Sequence, residues 1–414
     1  MDAHPTPEMA KLAALREALP ATAAGIFLNT GSCGPLPAET VRAMREIEDW
    51  ELRVGRADQA GWEAFLERLD ECRGVLAALL STSPGSIAVT HSTTEGMGIA
   101  AWAIDWQAGD RVVTTNAEHA GVLAPLLAVG DRFGVSLDVV DVDGGADADV
   151  VVERIAAAMT PRTRLVALSH VLWTTGGLLP VAEIGRLVAA RGAWFAVDAA
   201  QSAGAVAVEA EAIGADFVAF SGQKWLLGPE GTGGLYASPR AVAEARQSTA
   251  GVLGYDGLDP HGRRRADARR FETAGLHRPS VTGLARSVGW LEMYVGLAWA
   301  FERGLRLAAA AADRLAAIAG VTLLTPRRRM AGLITFRIDG WAAGEARDEL
   351  ARRAFAITRT IPDLDALRIS VAFFNSEEEL ERFAGAVEEL AQHTPASLPR
   401  RPDPLGMAAA PGRG

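Results

Sequence analysis

Cysteine is scarce in this chain of 414 residues. Cys33 and Cys72 are its only two, which excludes a disulfide framework and the small stapled folds that depend on one. The opening residues, MDAHPTPEMAKL, have no cationic segment followed by an apolar run, so no secretory signal is expected. Long apolar runs are missing too. The alanine-rich stretch 297–319 is interrupted by Glu302, Arg303, Arg306, Asp313 and Arg314, so no membrane span is expected, and the cytoplasm is the expected compartment. Positive charge is in deficit: a net charge of −10 argues against nucleic acid or an anionic membrane as a general partner. The one basic cluster, Arg263-Arg264-Arg265 with Arg269 and Arg270, is offset by two aspartates and reads as a solvated loop. No spacing of His, Cys, Asp or Glu suggests a metal site, and no Walker-type loop is present.

What remains is an ordinary α/β composition, 49% hydrophobic and 22% charged with 43 glycines, in a chain long enough for one large and one small domain. Residues 1–25 read as an arm with a short helix, followed by a short strand at Ile26–Asn29 and a turn, Thr30-Gly31-Ser32-Cys33-Gly34-Pro35. Helical patterns cover Ala38–Val54 and Trp62–Leu80. Strand-like runs then recur at Ile87–Thr90, Arg111–Thr115, Ser136–Val142, Leu165–Ser169, Trp194–Val197, Phe217–Phe220 and Gly233–Ala237. Helices between most of them predict βαβ units and a mainly parallel sheet buried on both faces. From about Arg270 the pattern becomes helix-rich (278–319). Strands follow near Val321–Leu324, Gly332–Ile338, Phe355–Thr360 and Leu367–Ala372, then a helix at Glu377–Gln392. The expected units are an arm (1–35), a large domain (36–269), a small α+β domain (270–393) and a disordered tail (394–414).

The chemistry concentrates between Trp194 and Ser238. One apolar run stops at Asp198; the next breaks into Ser221-Gly222-Gln223-Lys224. Ligands in open α/β sheets bind at the carboxyl ends of strands. A carboxylate, a lysine before an apolar Trp225-Leu226-Leu227, and small hydroxyl donors are what pyridoxal 5'-phosphate (PLP) requires: a Schiff-base amine, a partner for the pyridinium nitrogen and phosphate ligands. Read alone, Lys224 is better taken as a surface lysine in a turn, and Asp198 can also be the N-cap of a helix expected from Ala199. The run Ser92-Thr93-Thr94-Glu95-Gly96 before an expected helix reads either as a phosphate cup or as an ordinary capping box.

VDAAQS, with the Lys of FSGQK 26 positions after its Asp, together with AEHAG (Ala117–Gly121) and SHVLWTTGGLLPVAEI (Ser169–Ile184), resembles the class V aminotransferases. The similarity runs from about Phe27 to about Leu390 and is nearest to the cystine/cysteine C–S lyase branch. It implies PLP fold type I: a seven-stranded, mainly parallel sheet with a small C-terminal α+β domain, in a homodimer whose sites draw on both subunits. It implies that Lys224 carries PLP, Asp198 pairs with the ring nitrogen, Gln201 bonds the phenolic oxygen, and His119 stacks on the ring and passes protons. Thr94, Glu95, Ser221 and Gln223 would form the phosphate end. Arg368, opening a stretch similar to the family's R-x-S-x-x-x-[YF]-N-[ST]-x-E-E, would hold the substrate carboxylate. Arg359, Asn29 and Trp173 are further substrate-side candidates; a surface salt bridge is the alternative for Arg359, and a plain turn for Asn29. Two departures stand out: Gln223 replaces a usual histidine, and Gly275 stands where many members offer the partner subunit a threonine.

The expected reaction is β-elimination from cysteine, cystine or an S-substituted cysteine, releasing ammonia and a keto acid. The alternatives are transamination, epimerisation or decarboxylation-coupled deamination, or a cofactor-sensing regulator, for which no DNA-binding module is visible. A persulfide-forming desulfurase is not expected, since no cysteine follows Cys72.

Overall fold

The computed structural model describes residues 6–142, 147–259 and 261–399. Seven strands form the central sheet: β1 (Ile87–Thr90), β2 (Arg111–Thr115), β3 (Ser136–Val140), β4 (Thr163–Ser169), β5 (Trp194–Asp198), β6 (Phe217–Ser221) and β7 (Gly233–Ala237). Their order is β1-β7-β6-β5-β4-β2-β3, all parallel except β7, which runs against both of its neighbours. Side chains alternate along each strand. Val166, Leu168, Phe195, Val197, Val218 and Phe220 enter one core, and Leu165, Ala167, Trp194, Ala196, Phe217 and Ala219 enter the other. Helices cover both faces, so the inner strands β4, β5 and β6 read as apolar runs and not as alternating ones, while the edge strand β3 is partly exposed.

The small sheet is antiparallel, in the order β10-β11-β9-β8, where β8 is Val321–Leu323, β9 Leu333–Ile338, β10 Arg359–Ile361 and β11 Ala366–Ser370. It shares a third core with the helices Leu297–Ala316, Ala343–Ala354 and Glu377–Ala391. The expected strand Phe355–Thr360 is divided. Phe355 caps the preceding helix with a left-handed backbone (φ 53), Ala356–Ile357 pairs in parallel with Ile26–Phe27, and only Arg359–Ile361 joins the small sheet. The N-terminal segment is thereby stitched to the small domain, and an Asn29–Ser370 bridge continues the seam.

The helix Arg278–Trp290 contributes Val281, Leu284, Val288 and Trp290 to the core of the large sheet. At the other end, Thr394–Ser397 forms a turn and Leu398 packs on the small-domain core; residues 400–414 of the expected tail lie outside the described residues.

The helix expected from Ala199 does not form. Ala199 N–H still bonds across to Ala219 O in the manner of the sheet, Asp198 Oδ1 takes the Ala200 N–H at 2.7 Å, and the chain turns through Gly204 at φ 91. An acid that bonds its own backbone two residues on favours a turn over a helix.

Candidate active site

The carboxyl ends of β2, β4, β5 and β6 open on one edge of the sheet, and the candidate residues gather there. Asp198 ends β5 only 5% exposed. Burial raises its carboxyl above the ordinary range, opposed by the Lys224 charge and the Ala200 N–H. Lys224 follows β6, and its amine is pulled below the ordinary lysine value by burial, with Arg368 and Arg359 acting in the same sense and Asp198 against. That is the environment that makes a lysine amine available near neutral pH. The chain has one other lysine, Lys11, whose Nζ bonds Val295 O far from this edge. Gly34 lies against the Lys224 backbone: a Cβ there would stand 2.4 Å from Lys224 O.

His119 caps the helix Ala120–Phe133, with Nδ1 accepting the Gly121 N–H at 3.0 Å. A neutral ring therefore carries its proton on Nε2. Burial, then Lys224, Arg359 and Arg368, lower its pKa. Trp173 meets the ring edge-on at 5.2 Å, and the Arg359 guanidinium lies 5.8 Å from the Trp173 centroid.

Arg359 and Arg368 are directly opposite each other on β10 and β11. Arg368, 1% exposed, donates to Trp173 O at 2.6 Å and to Ser32 Oγ at 3.4 Å; Arg359 donates to the same Ser32 Oγ at 3.0 Å. Neither has a carboxylate partner among the described residues, so Arg359 forms no surface salt bridge. Burial and the Arg359 charge bring Arg368 down to about 9. Two guanidiniums held together without an acid are a prepared anion site. Asn29 acts at one remove, its Oδ1 accepting the Ser32 hydroxyl at 2.7 Å.

At the opposite side, Ser221 Oγ bonds both the amide (3.0 Å) and the hydroxyl (2.7 Å) of Thr93, the first residue of the helix Thr93–Trp102. The Glu95 amide is capped by Ser92 Oγ, while its carboxylate turns back to the His91 amide and ring, at 2.5 and 2.8 Å. Glu95 is thus a helix-end residue, and the amide and hydroxyl of exposed Thr94 are the donors left at this N-terminus among the described residues. The Thr94 hydroxyl is close to the His119 loop, 2.5 Å from where a Cβ on Gly121 would be. Gln201 is engaged at both ends of its amide, donating to Gly31 O (2.8 Å) and accepting from Trp225 Nε1 (2.9 Å); one Nε2 proton remains.

Sequence reasoning gave no site role to Ser32 or Trp225, whose contacts join distant segments, and named Thr93 only as part of the 92–96 run without its bond to Ser221. It also passed over Glu118, a loop acid beside His119 that is 6% exposed.

Several buried polar atoms at this edge have no partner among the described residues: Gln223 Oε1, Trp173 Nε1 and Arg368 Nε. Native interiors satisfy such groups, so these call for a polar ligand. Together with a depressed lysine, a buried acid at a strand end and a helix N-terminus lined by hydroxyls, they fit PLP. Fold and site define a PLP-dependent enzyme of fold type I.

The family profile "Aminotransferase class-V" matches residues 26–383, and the chain belongs to that family. It is 29% identical over 393 residues to a probable cysteine desulfurase of Methanothermobacter thermautotrophicus, covering 91% of this chain and 97% of the relative. It is 30% identical over 386 residues to isopenicillin N epimerase of Streptomyces clavuligerus, covering 88% and 94%. Among solved structures, the cystine C–S lyase C-DES in complex with its product cysteine persulfide superposes with a TM-score of 0.84 at 27% identity, covering 89% of this chain and 99% of that one. A lysine-to-alanine C-DES mutant with glycine covalently linked to the PLP cofactor gives 0.85 at 26%, covering 90% and 98%.

Proposed function

We propose that this enzyme cleaves the C–S bond of cysteine, cystine or an S-substituted cysteine by β-elimination. In the same reading Lys224 carries PLP, Asp198 faces its ring nitrogen, His119 covers its ring, and Thr94, Ser221 and Gln223 border its phosphate end. When bound, PLP supplies an electron sink for the charge that develops at Cα of an amino acid. Arg368, with Arg359 beside it, binds the α-carboxylate and so orients the Cα–H bond toward Lys224 Nζ, which takes the proton once the substrate amine has displaced it. The Cβ–S bond then breaks; Lys224 Nζ, now carrying the proton from Cα, is the available donor to the departing sulfur, and neutral His119 offers its Nε2–H as a hydrogen bond. Water completes the balance: the S-substituted cysteine and one water give a thiol (or persulfide), pyruvate and ammonia.

The observation that carries this reading over sulfur transfer is the state of the two thiols. Burial pushes Cys72 up to about 12, and Cys33, although exposed and near the site, is raised by burial and by the Glu230 charge. A persulfide-forming nucleophile needs the opposite shift. Supplying cystine without any keto acid tests the proposal: pyruvate and ammonia should accumulate over many turnovers. Turnover that stops until a keto acid is added would replace it with transamination, and released carbon dioxide would replace it with a decarboxylating reaction. The relationship to isopenicillin N epimerase supports epimerisation as the second reading; exchange of the α-hydrogen for solvent deuterium without ammonia would establish it.

The proposed assembly is a homodimer, and the proposed compartment the cytoplasm. An open cavity of about 1130 Å³ beside the site, lined by Phe27, Cys33, Pro35, Met44 and Pro229 among others, gives a second subunit a place to contribute. No helix among the described residues is long and apolar enough to cross a membrane.

A further inference from the structure

We propose that Glu118 is a positioning residue that sets the height and tilt of the His119 ring over the cofactor by tying the His119 loop to the end of β4. Its carboxyl accepts three hydrogen bonds: from Thr115 Oγ1 at 2.6 Å, Ser169 N at 3.1 Å and Ser169 Oγ at 2.6 Å. Thr115 ends β2 and Ser169 ends β4, neighbouring strands whose ladder runs from Arg111–Thr163 to Val113–Val166, so one side chain ties the two strand ends beyond that ladder. Ser169 is also the register partner of Asp198 on β5. The carboxyl of Glu118 therefore fixes His119, its chain neighbour, relative to the acid at the far side of the ring site.

The other end of the loop is pinned separately. Asn116 Nδ2 bonds Asp141 Oδ1 at 2.6 Å, and Asn116 Oδ1 takes the Val142 N–H at 3.0 Å. Helix entry is pinned by His119 Nδ1 on the Gly121 amide. Between those two anchors, the Glu118 clamp ties the loop to Ser169, the register partner of Asp198. Nothing in the bonding requires a charge. Burial, with a contribution from Asp198, raises the Glu118 carboxyl to about 7, and a neutral group of the same shape keeps every contact. In Glu118→Gln the amide oxygen accepts from the Thr115 hydroxyl and the Ser169 amide, and Nε2 donates to Ser169 Oγ.

The inference rests on the reading of His119 as the residue stacked on the PLP ring, whichever reaction follows. The test compares Glu118→Ala, Glu118→Gln and His119→Ala, read by visible circular dichroism of the bound cofactor, by the PLP dissociation constant and by kcat. Displacing a group through its supporting hydrogen bonds typically costs about 10- to 100-fold in activity or affinity. Glu118→Ala should change the cofactor dichroism in the same direction as His119→Ala and lower kcat by that factor, and Glu118→Gln should restore both. If His119→Ala leaves the dichroism untouched, the stacking premise is wrong. If it alters the dichroism and Glu118→Ala does not, the positioning role is wrong. A Gln variant that behaves like Ala overturns the claim that shape rather than charge is needed. Should Glu118→Ala fail to fold, Thr115→Val and Ser169→Ala remove the clamp's hydroxyl contacts one at a time. Wild-type dichroism in both would overturn the proposal.

Discussion

Arg368 offers a test in which stability and function should move in opposite directions. The residue is 1% exposed, has no carboxylate partner among the described residues, and is drawn down to about 9 by burial and by Arg359. A displacement of that size corresponds to a penalty on the order of 4–5 kcal/mol against the charged form in the ligand-free fold. The sign follows from linkage. The unfolded chain holds its proton to higher pH than the folded one, so the penalty is fully present at neutral pH and is relieved only as pH rises above about 9. Arg368→Met keeps much of the apolar stem, removes the cation, and orphans Trp173 O, which costs about 1–3 kcal/mol. The ligand-free holoenzyme should therefore be more stable by roughly 2 kcal/mol, a melting temperature higher by a few degrees. The same change should lower kcat/KM by about 100-fold, since truncating one side of a buried charge pair costs about 2–5 kcal/mol. Scanning calorimetry with and without glycine, a non-eliminable amino acid, reads both effects: glycine should raise the melting temperature of the wild type and not of the variant. A variant that melts lower than wild type and still responds to glycine would refute the assignment of Arg368 as carboxylate anchor.

Lys224→Ala should lose the borohydride-reducible link to PLP, and with Lys11 as the only other lysine, peptide mapping gives an unambiguous answer: label on Lys11 would sink the site assignment. Asp198→Asn should retain PLP but lose most turnover, because the ring nitrogen loses its anionic partner; turnover equal to wild type in steady-state assays would count against it. Cys33→Ala should turn over at the wild-type rate, and an on-pathway protein persulfide that disappears in this variant would restore the sulfur-transfer reading. His170, buried and lowered to about 4 by desolvation, binds its proton more weakly in the fold than in the unfolded chain. Its contribution to stability is present above about pH 6.5 and is lost as pH falls toward 4, on the order of 3 kcal/mol in all. His170→Gln should flatten that limb of a denaturation-versus-pH curve, and an unchanged slope would show that His170 is not the group responsible.

How far the sequence could be read depended on whether a feature was local. The seven strands of the large sheet begin and end within two residues of their expected places; strands buried on both faces leave apolar runs, and the partly exposed edge strand β3 keeps enough of one to be seen. Asp198 and Lys224 were legible for the same reason: each stands where such a run stops. The helix expected after Asp198 was not, since an acid followed by small residues suits an Asx-type turn as well as an N-cap, and the sheet bond from Ala199 to Ala219 decides for the turn. Glu95 shows the same ambiguity: its spacing from Ser92 fitted both a phosphate cup and a cap, and its contacts with His91 are those of a helix end. The opposition of Arg359 and Arg368 depends on β10–β11 pairing, and Ser32 reaches them only because Ile26–Phe27 is stitched to Ala356–Ile357. No local pattern announces a contact spanning more than three hundred residues.

The placement of charge explains why that long-range stitching is worth its cost in order. Around the ring site the fold assembles Lys224, Arg359 and Arg368 against one clearly opposed carboxylate, Asp198, and it lowers the charge tendency of Lys224, His119 and Arg368 by burying them. A surface cluster of this kind would be screened by water and would need no support. Here the cations are desolvated, so the ligand-free site is held together by the rest of the protein against its own repulsion. The N-terminal segment supplies the uncharged part of that restraint. Ser32 accepts from both arginines and donates its hydroxyl hydrogen bond to Asn29 Oδ1, and Gly31 N–H bonds Ser370 Oγ on the strand that carries Arg368. A hydroxyl can occupy this place where an aspartate could not, because a built-in acid would neutralise the pair and remove the affinity for an incoming carboxylate. In the proposed function an amino-acid substrate is then bound most strongly through the group that also orients its Cα, which is the condition for spending binding energy on the reaction and not on mere occupancy.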